Sequence, residues 1–328
     1  LGFIGCSRHR TAGKRDTFSN WIQQTFGKGI AKHFMVPYNS KFWTVPPEQM
    51  TCGWLDGFVP VPSLPQLIEG TVDENKRTFG YNAHFWYPKK GGINQLPRAL
   101  AQQVKRLHLS SPIIEISPLR KEVKTKRGDT VRYDTLISTV PLPELPSMIK
   151  GIPEAVRKAI KKLKWNSIFN LNLAIDKNDF HGRHWVYFPD KEVSFFRVGF
   201  FHNFSADAVP KGKSSVYAEV SYSKELPLDK TAITGRIFEN LKEVGILTQG
   251  AGVLFQDIND IRYGYPIYDK NYQNAKDVIF RYLMGYNIIP SGRYGSWRYM
   301  SMEDVLWEGK LIADSSHKTH KNILYKHT

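Results

Sequence analysis

The stretch Phe169-Asn170-Leu171-Asn172-Leu173-Ala174-Ile175 narrows most sharply what this chain can fold into. Apolar side chains at every second position put Phe169, Leu171, Leu173 and Ile175 on one face and the two asparagines on the other. That is a strand with one dry face and one wet face. Residues 185–188, 194–200 and 216–221 carry further apolar and aromatic runs of strand length. Residues 165–221 are therefore expected to form an antiparallel sheet, the arrangement that tolerates a solvated face.

Helical spacing dominates elsewhere. Phe18, Trp21, Ile22 and Phe26 recur at i, i+3, i+4 and i+8, with Gly27 placed to end the helix, and Gly29 opens a second short one through Ile30, Phe34 and Met35. Residues 37–65, rich in Pro, Trp and Gly, read as ordered loop. Residues 93–107 read as helix, followed by short strands at 113–116, 123–126, 131–133 and 136–140, with Arg127-Gly128-Asp129 as a turn. Residues 154–164, 232–244, 274–284 and 302–313 read as helices, with a strand near Ile261. The expectation is a mixed α/β chain in four segments: 1–79 helical and loop, 80–150 mixed, 151–264 sheet-rich, and 265–328 closing.

Bulk properties fit a folded globular chain. With 328 residues, 41% hydrophobic and 23% charged, the chain can bury a large core, and it has no run apolar enough to span a bilayer. The net charge of +16 favours anionic partners. Much of it sits on the outer face of the 154–164 helix and in the tail after Lys310, without interleaved stacking aromatics, so nucleic acid is not expected. Two cysteines, Cys6 and Cys52, make neither a disulfide framework nor a metal cluster, and point to a reducing cytoplasm. His317 and His320 lack partners for a metal site. The oligomeric state stays open.

The chemistry concentrates in Gly292-Arg293-Tyr294-Gly295-Ser296-Trp297-Arg298-Tyr299-Met300-Ser301-Met302-Glu303-Asp304. Ser301 is a natural N-cap and Asp304 can bond back to it, while Met302, Val305 and Leu306 stripe the helix that follows. Such a terminus favours negative charge. An ordinary capped helix carries the same pattern.

Taken with four other blocks, this segment resembles the carboxy-terminal flavin signature of the UDP-galactopyranose mutases and related FAD-dependent amine oxidoreductases, the protoporphyrinogen oxidase type included. The blocks are residues 34–43 (Phe-Met-Val-Pro-Tyr-Asn-Ser-Lys-Phe-Trp), 85–93 (Phe-Trp-Tyr-Pro-Lys-Lys-Gly-Gly-Ile), Phe195-Phe196-Arg197-Val198 with Asn203-Phe204-Ser205, and Tyr265-Pro266. The resemblance implies a partial Rossmann-type FAD-binding domain with an inserted antiparallel-sheet and helical substrate domain. It implies that Arg293, framed by Gly292 and Gly295, neutralises the FAD pyrophosphate. Ser301, Met302, Glu303 and Asp304 would lie at the flavin, the Gly91-Gly92 turn near it, and Ile113 near the adenine. Asn39 and Trp43 would hold uracil and ribose, and Arg197, Tyr265 and Tyr299 the substrate diphosphate. Each of these also has a bland reading, as core aromatic or surface ion pair.

Two activities follow from the resemblance. In one, reduced FAD acts on a UDP-sugar, as in cell-surface polysaccharide biosynthesis. In the other, oxidised FAD takes a hydride from an amine or related donor. A basic binding module that has kept only the scaffold is the non-enzymatic alternative. The sequence departs from the mutase pattern at Phe58, where the family carries an arginine, and at Met302 or Glu303, where it carries an asparagine. No Gly-x-Gly-x-x-Gly between strand and helix occurs: Gly27-Lys28-Gly29 lacks the third glycine and Gly250-Ala251-Gly252 precedes a strand. Together with a first residue, Leu1, that is not Met, this leads us to expect a fragment lacking the pyrophosphate fingerprint.

Overall fold

The computed structural model describes residues 17–55, 58–61, 63, 65, 84–176, 182–248 and 250–316. Its main helices are α1 (Phe18–Ile30), α2 (Val36–Trp43), α3 (Gln95–Gln102), α4 (Glu154–Lys162), α5 (Ile233–Glu243), α6 (Tyr272–Met284) and α7 (Met302–Ser316). The strands are β1 (Ile113–Ser117), β2 (Glu122–Thr125), β3 (Thr130–Arg132), β4 (Leu136–Ser138), β5 (Trp165–Ile175), β6 (Trp185–Tyr187), β7 (Arg197–Phe200), β8 (Ser214–Tyr222), β9 (Val253–Pro266) and β10 (Ile288–Pro290). The fold is mixed α/β, as expected. The chain forms two compact units. The first holds the described residues through Leu107 with Asn166–Gly264 and Tyr268–Lys270, and the second holds His108–Trp165, Tyr265–Ile267 and the described residues from Asn271.

The first unit is built on a five-stranded sheet of order β6-β7-β8-β5-β9. The alternation in β5 sends Phe169, Leu171, Leu173 and Ile175 to a core shared with Val198, Phe200, Val216, Ala218 and Val220, and α5 closes that core with Ile233, Ile237 and Leu241. Burying side chains of this size contributes roughly 1.5–3 kcal/mol each. Antiparallel pairing sets Asn170 opposite Glu219 and Arg197 opposite Glu219, so one row of the other face is polar.

Gly27 (φ 77°, ψ 168°) ends the first helical stretch of α1 as expected, and a second begins directly after it and continues through a π-turn, Ala31–Met35. The loop expected from residue 37 is instead α2. Pro37 falls where the π-turn passes into α2, a change of bonding pattern that accommodates a residue without an N–H. Phe34, Tyr38 and Phe42 then stack along one face at i, i+4 and i+8, with ring centroids 5.3 and 6.1 Å apart.

The second unit contains the antiparallel sheet β1-β2-β3 and the pair β4–β10, which is parallel. α4 buries Val156 and Ala159, half-buries Ile160 and keeps Arg157, Lys158, Lys161 and Lys162 in solvent, the basic outer face that was expected. Among the described residues, no helix is long and apolar enough to cross a membrane.

Candidate functional site

In the second unit the carboxyl ends of β4 and β10 run into the signature segment. In open α/β sheets ligands bind just beyond such ends. Ser291 N–H donates to the Ser138 carbonyl at 2.9 Å, and Leu142 N–H to that of Tyr294 at 3.1 Å. Gly292–Gly295 form one helical turn. Gly292 needs its positive φ of 71°, and a Cβ on Gly295 would collide with the Ser138 carbonyl oxygen, so the first glycine is required by conformation and the second by a close backbone approach.

Arg293 leaves this turn to lie against a pair of stacked phenol rings. Its guanidinium carbon is 4.6 Å from the Tyr265 centroid and 5.0 Å from that of Tyr299, and those rings stack with centroids 5.5 Å apart. Nη1 also donates to the Met300 carbonyl at 3.4 Å. Cation–π contacts of this kind hold a guanidinium in place without neutralising it. Three residues read separately from the sequence are thus brought into one stack.

Glu308 of α7 was not legible as part of this arrangement. Its carboxylate accepts from the Ser291 hydroxyl (3.0 Å), from Gly292 N–H and from Arg298 Nη2 (2.9 Å), tying the turn to the helix. Nearby, Lys276 lies over the rings of Tyr272 and Phe280, 5.3 and 5.6 Å from their centroids. Burial, and then the charge of Arg298, hold its pKa below the usual lysine range. At the start of α7, Ser301 and Asp304 form the expected capping box. Asp304 N–H donates to the Ser301 hydroxyl (3.2 Å), and Ser301 N–H donates to the Asp304 carboxylate (2.7 Å). Helix geometry leaves the N–H groups of Met302 and Glu303 pointing out of the helix end. Met302, Val305, Leu306 and Leu311 are exposed, so the apolar stripe of α7 is real but faces outward. Ile113, half-buried at the start of β1, pairs with Thr125.

The first unit holds the other candidates. Asn39 is buried and its amide donates to the Met35 carbonyl at 2.7 Å, one turn back. Trp43 is 3% exposed, its ring packed against Phe42, Trp54 and Tyr268. Phe58 is half-buried, with its N–H on the Leu55 carbonyl at 3.0 Å. Gly91 and Gly92 have φ of 70° and 68°, the left-handed turn that precedes α3. The block around them packs on the 195–205 block: Phe85 meets Trp185 and Phe204, Tyr87 meets Phe204, and the Ser205 hydroxyl donates to the Lys89 carbonyl at 2.6 Å.

Arg197 is ion-paired through Nε with Glu219, directly across the β7–β8 ladder. Tyr187 stands opposite Arg197 on β6, and Tyr38 of α2 packs edge-on to Tyr187 at 5.1 Å. So α2 lies over the face that carries Arg197. Lys41 of α2 donates to the Phe188 and Asp190 carbonyls at 3.0 and 2.9 Å. Burial lowers its pKa to about 8, against the opposing pull of Asp190 and Glu192. A charged residue in an apolar strand was the available signal for Glu219, and nothing in the sequence marked Lys41. Cys6, His317 and His320 lie outside the described residues, and among those described no cluster of His, Cys, Asp and Glu could hold a metal ion.

The second unit's donor set fits an anionic dinucleotide with a ring system: a guanidinium packed against aromatic rings, a close glycine turn and a helix amino-terminus beyond two parallel strand ends. The comparisons agree. The family model for flavin-containing amine oxidoreductases matches residues 58–254. The fold is similar to that of reduced UDP-galactopyranose mutase, at 25% identity and TM-score 0.90, over 98% of this chain and 71% of that one. A protein of Exiguobacterium sp. 255-15 assigned as a protoporphyrinogen oxidase is similar at 13% identity and TM-score 0.68, over 96% and 70% of the two chains. An oxidoreductase from Methanosarcina mazei is similar at 12% identity and TM-score 0.60, over 95% and 70%. These last two speak to fold alone. This chain belongs to the flavin-containing amine oxidoreductase family and is an FAD-dependent enzyme.

Proposed function

We propose that this enzyme acts on a nucleotide sugar, as a UDP-galactopyranose mutase does, with its FAD in the reduced state. The observation that carries this reading is the TM-score of 0.90 to reduced UDP-galactopyranose mutase over 98% of the chain. When bound, FAD supplies the reactive ring, and the protein supplies binding, orientation and charge. Arg293 would meet the FAD pyrophosphate, with Gly292 and Gly295 allowing the close approach. The outward N–H groups at Met302 and Glu303, and the cap residues Ser301 and Asp304, would face the flavin. Gly91 and Gly92 would lie near the flavin, and Ile113 near the adenine. Because Tyr265 and Tyr299 pack against Arg293, they would stand where cofactor and substrate diphosphate meet. Arg197 would take the diphosphate oxygens and α2, through Asn39 and Trp43, the uridine end. A cytoplasmic site of action and a part in building cell-surface polysaccharide belong to the same proposal.

The test is a UDP titration of the FAD-loaded, dithionite-reduced enzyme, followed by tryptophan fluorescence. The wild type should respond and Arg197→Ala should not. Phe58→Arg should tighten UDP if Phe58 lines that pocket. The second reading, oxidation of an amine or related donor, is favoured by the family match itself. Silence toward UDP, with oxygen consumption on amines, would leave that reading in place of the first.

A further inference from the structure

Strand β8 sorts its side chains by face. Val216, Ala218 and Val220 enter the core beneath α5, so Tyr217, Glu219 and Ser221 turn to the other side. On that side the ladders align Asn170, Glu219, Arg197 and Tyr187 across four strands, neighbours being about 4.8 Å apart. The Glu219 side chain is 11% exposed, and a carboxylate that sheltered is costly unless paired. Its ion-pair partner is Arg197, and on its other side it faces the neutral Asn170, whose Oδ1 accepts from Asn172 at 2.7 Å.

The bond to Glu219 falls at Arg197 Nε. A guanidinium is a rigid plane, so anchoring Nε fixes the direction in which the Nη edge points. The Phe196 ring, 5.6 Å from the guanidinium carbon, supports the same orientation. An unanchored arginine would surrender its rotamer freedom on each binding event, whereas an anchored one has already done so.

We propose that Glu219 is a positioning residue for substrate: through the Nε bond it aims the Arg197 fork at the diphosphate, and it acts on binding only through Arg197. The inference rests on the role given to Arg197 in the nucleotide-sugar reading. It is tested by a double-mutant cycle on UDP affinity in the FAD-loaded, reduced enzyme, with Arg197→Ala, Glu219→Gln and the double variant. Glu219→Gln keeps the volume and an acceptor oxygen but drops the charge. It should weaken UDP about tenfold, within the coupling expected of residues in direct contact. In the Arg197→Ala background the same change should alter nothing further. Flavin absorbance and the melting midpoint report whether the fold survives, and if Glu219→Gln melts early then Glu219→Asp, which keeps the charge on a shorter arm, carries the cycle. Equal losses in both backgrounds, or no loss in either, would overturn the proposal while leaving Arg197 in the site. If Arg197→Ala itself leaves UDP binding untouched, the nucleotide-sugar role of Arg197 fails, and this inference with it.

Discussion

The two arginines at the centre of the proposal are held in opposite ways. Arg197 lies on a sheet and is bonded to a carboxylate from the neighbouring strand, 22 positions along the chain. Arg293 lies in a turn, and its contacts include the faces of Tyr265 and Tyr299 and the Met300 carbonyl. A carboxylate neutralises and aims, whereas ring faces aim and leave the charge available. The difference also marks Arg197 as half of a sheltered ion pair.

The largest effect should therefore come from breaking that pair. Glu219→Ala leaves Arg197 sheltered without its anion. Removing one partner of a fully buried pair costs about 3–5 kcal/mol, and a quarter of the Arg197 side chain is exposed, so about 2–4 kcal/mol is expected. Urea unfolding measures it. A loss under 1 kcal/mol would mean that solvent already screens the pair, and the contrast between the two arginines would shrink.

Arg293→Ala should do the reverse, sparing stability and releasing cofactor. One charge-assisted bond to phosphate contributes roughly 1.5–3 kcal/mol, about a tenfold to hundredfold change in FAD affinity. Flavin content after dialysis reads this directly. Full retention would remove Arg293 from the pyrophosphate.

Lys41 sharpens the comparison from the first unit, as a cation held by backbone carbonyls. Its folded pKa, about 8, is below its unfolded value of 10.5. Between those values the unfolded chain binds the extra proton, so stability rises with pH across the window. The cost of the sheltered ammonium is fully present below pH 8 and fades as pH climbs toward 10.5. Discounted for partial exposure, the change is about 1–2 kcal/mol. Relative to Lys41→Met, the wild type should gain stability from pH 7.5 to pH 10. A difference independent of pH would show that Lys41 titrates normally.

These partners explain what could and could not be read from the chain. The β5 alternation and the Ser301–Asp304 cap were legible because each is decided within a few residues by period or by local hydrogen bonding. The helix α2 was missed although Phe34, Tyr38 and Phe42 announced it, because Pro37 reads as a breaker unless it falls where one helical bonding pattern passes into another. Glu219, Glu308 and Lys41 take their roles from strand register and tertiary packing, which no local pattern encodes. The exposed stripe of α7 is the converse case, where the period predicts the helix and cannot predict what the stripe faces.

The smallest expected effect tests the local side of the contrast. In the second unit the start of α7 depends on two reciprocal bonds between Ser301 and Asp304. Ser301→Ala deletes the hydroxyl that accepts from Asp304 N–H and donates to its carboxylate at 2.8 Å, yet keeps the backbone N–H that the carboxylate also holds. Half of the box survives, so the loss should be about 1 kcal/mol, a drop in melting midpoint of roughly 2 °C for a chain of this size. Ser301→Asp should recover only part of it: aspartate caps as well as serine and suits the helix dipole, but it cannot donate to the Asp304 carboxylate and sets a like charge beside it. The same aspartate should weaken FAD if the outward N–H groups of Met302 and Glu303 face an anionic flavin edge, since it would place a like charge beside it. Stability partly restored with cofactor affinity reduced would show that the helix terminus serves both fold and flavin. Stability and affinity moving together would instead make Ser301 a cap and nothing more.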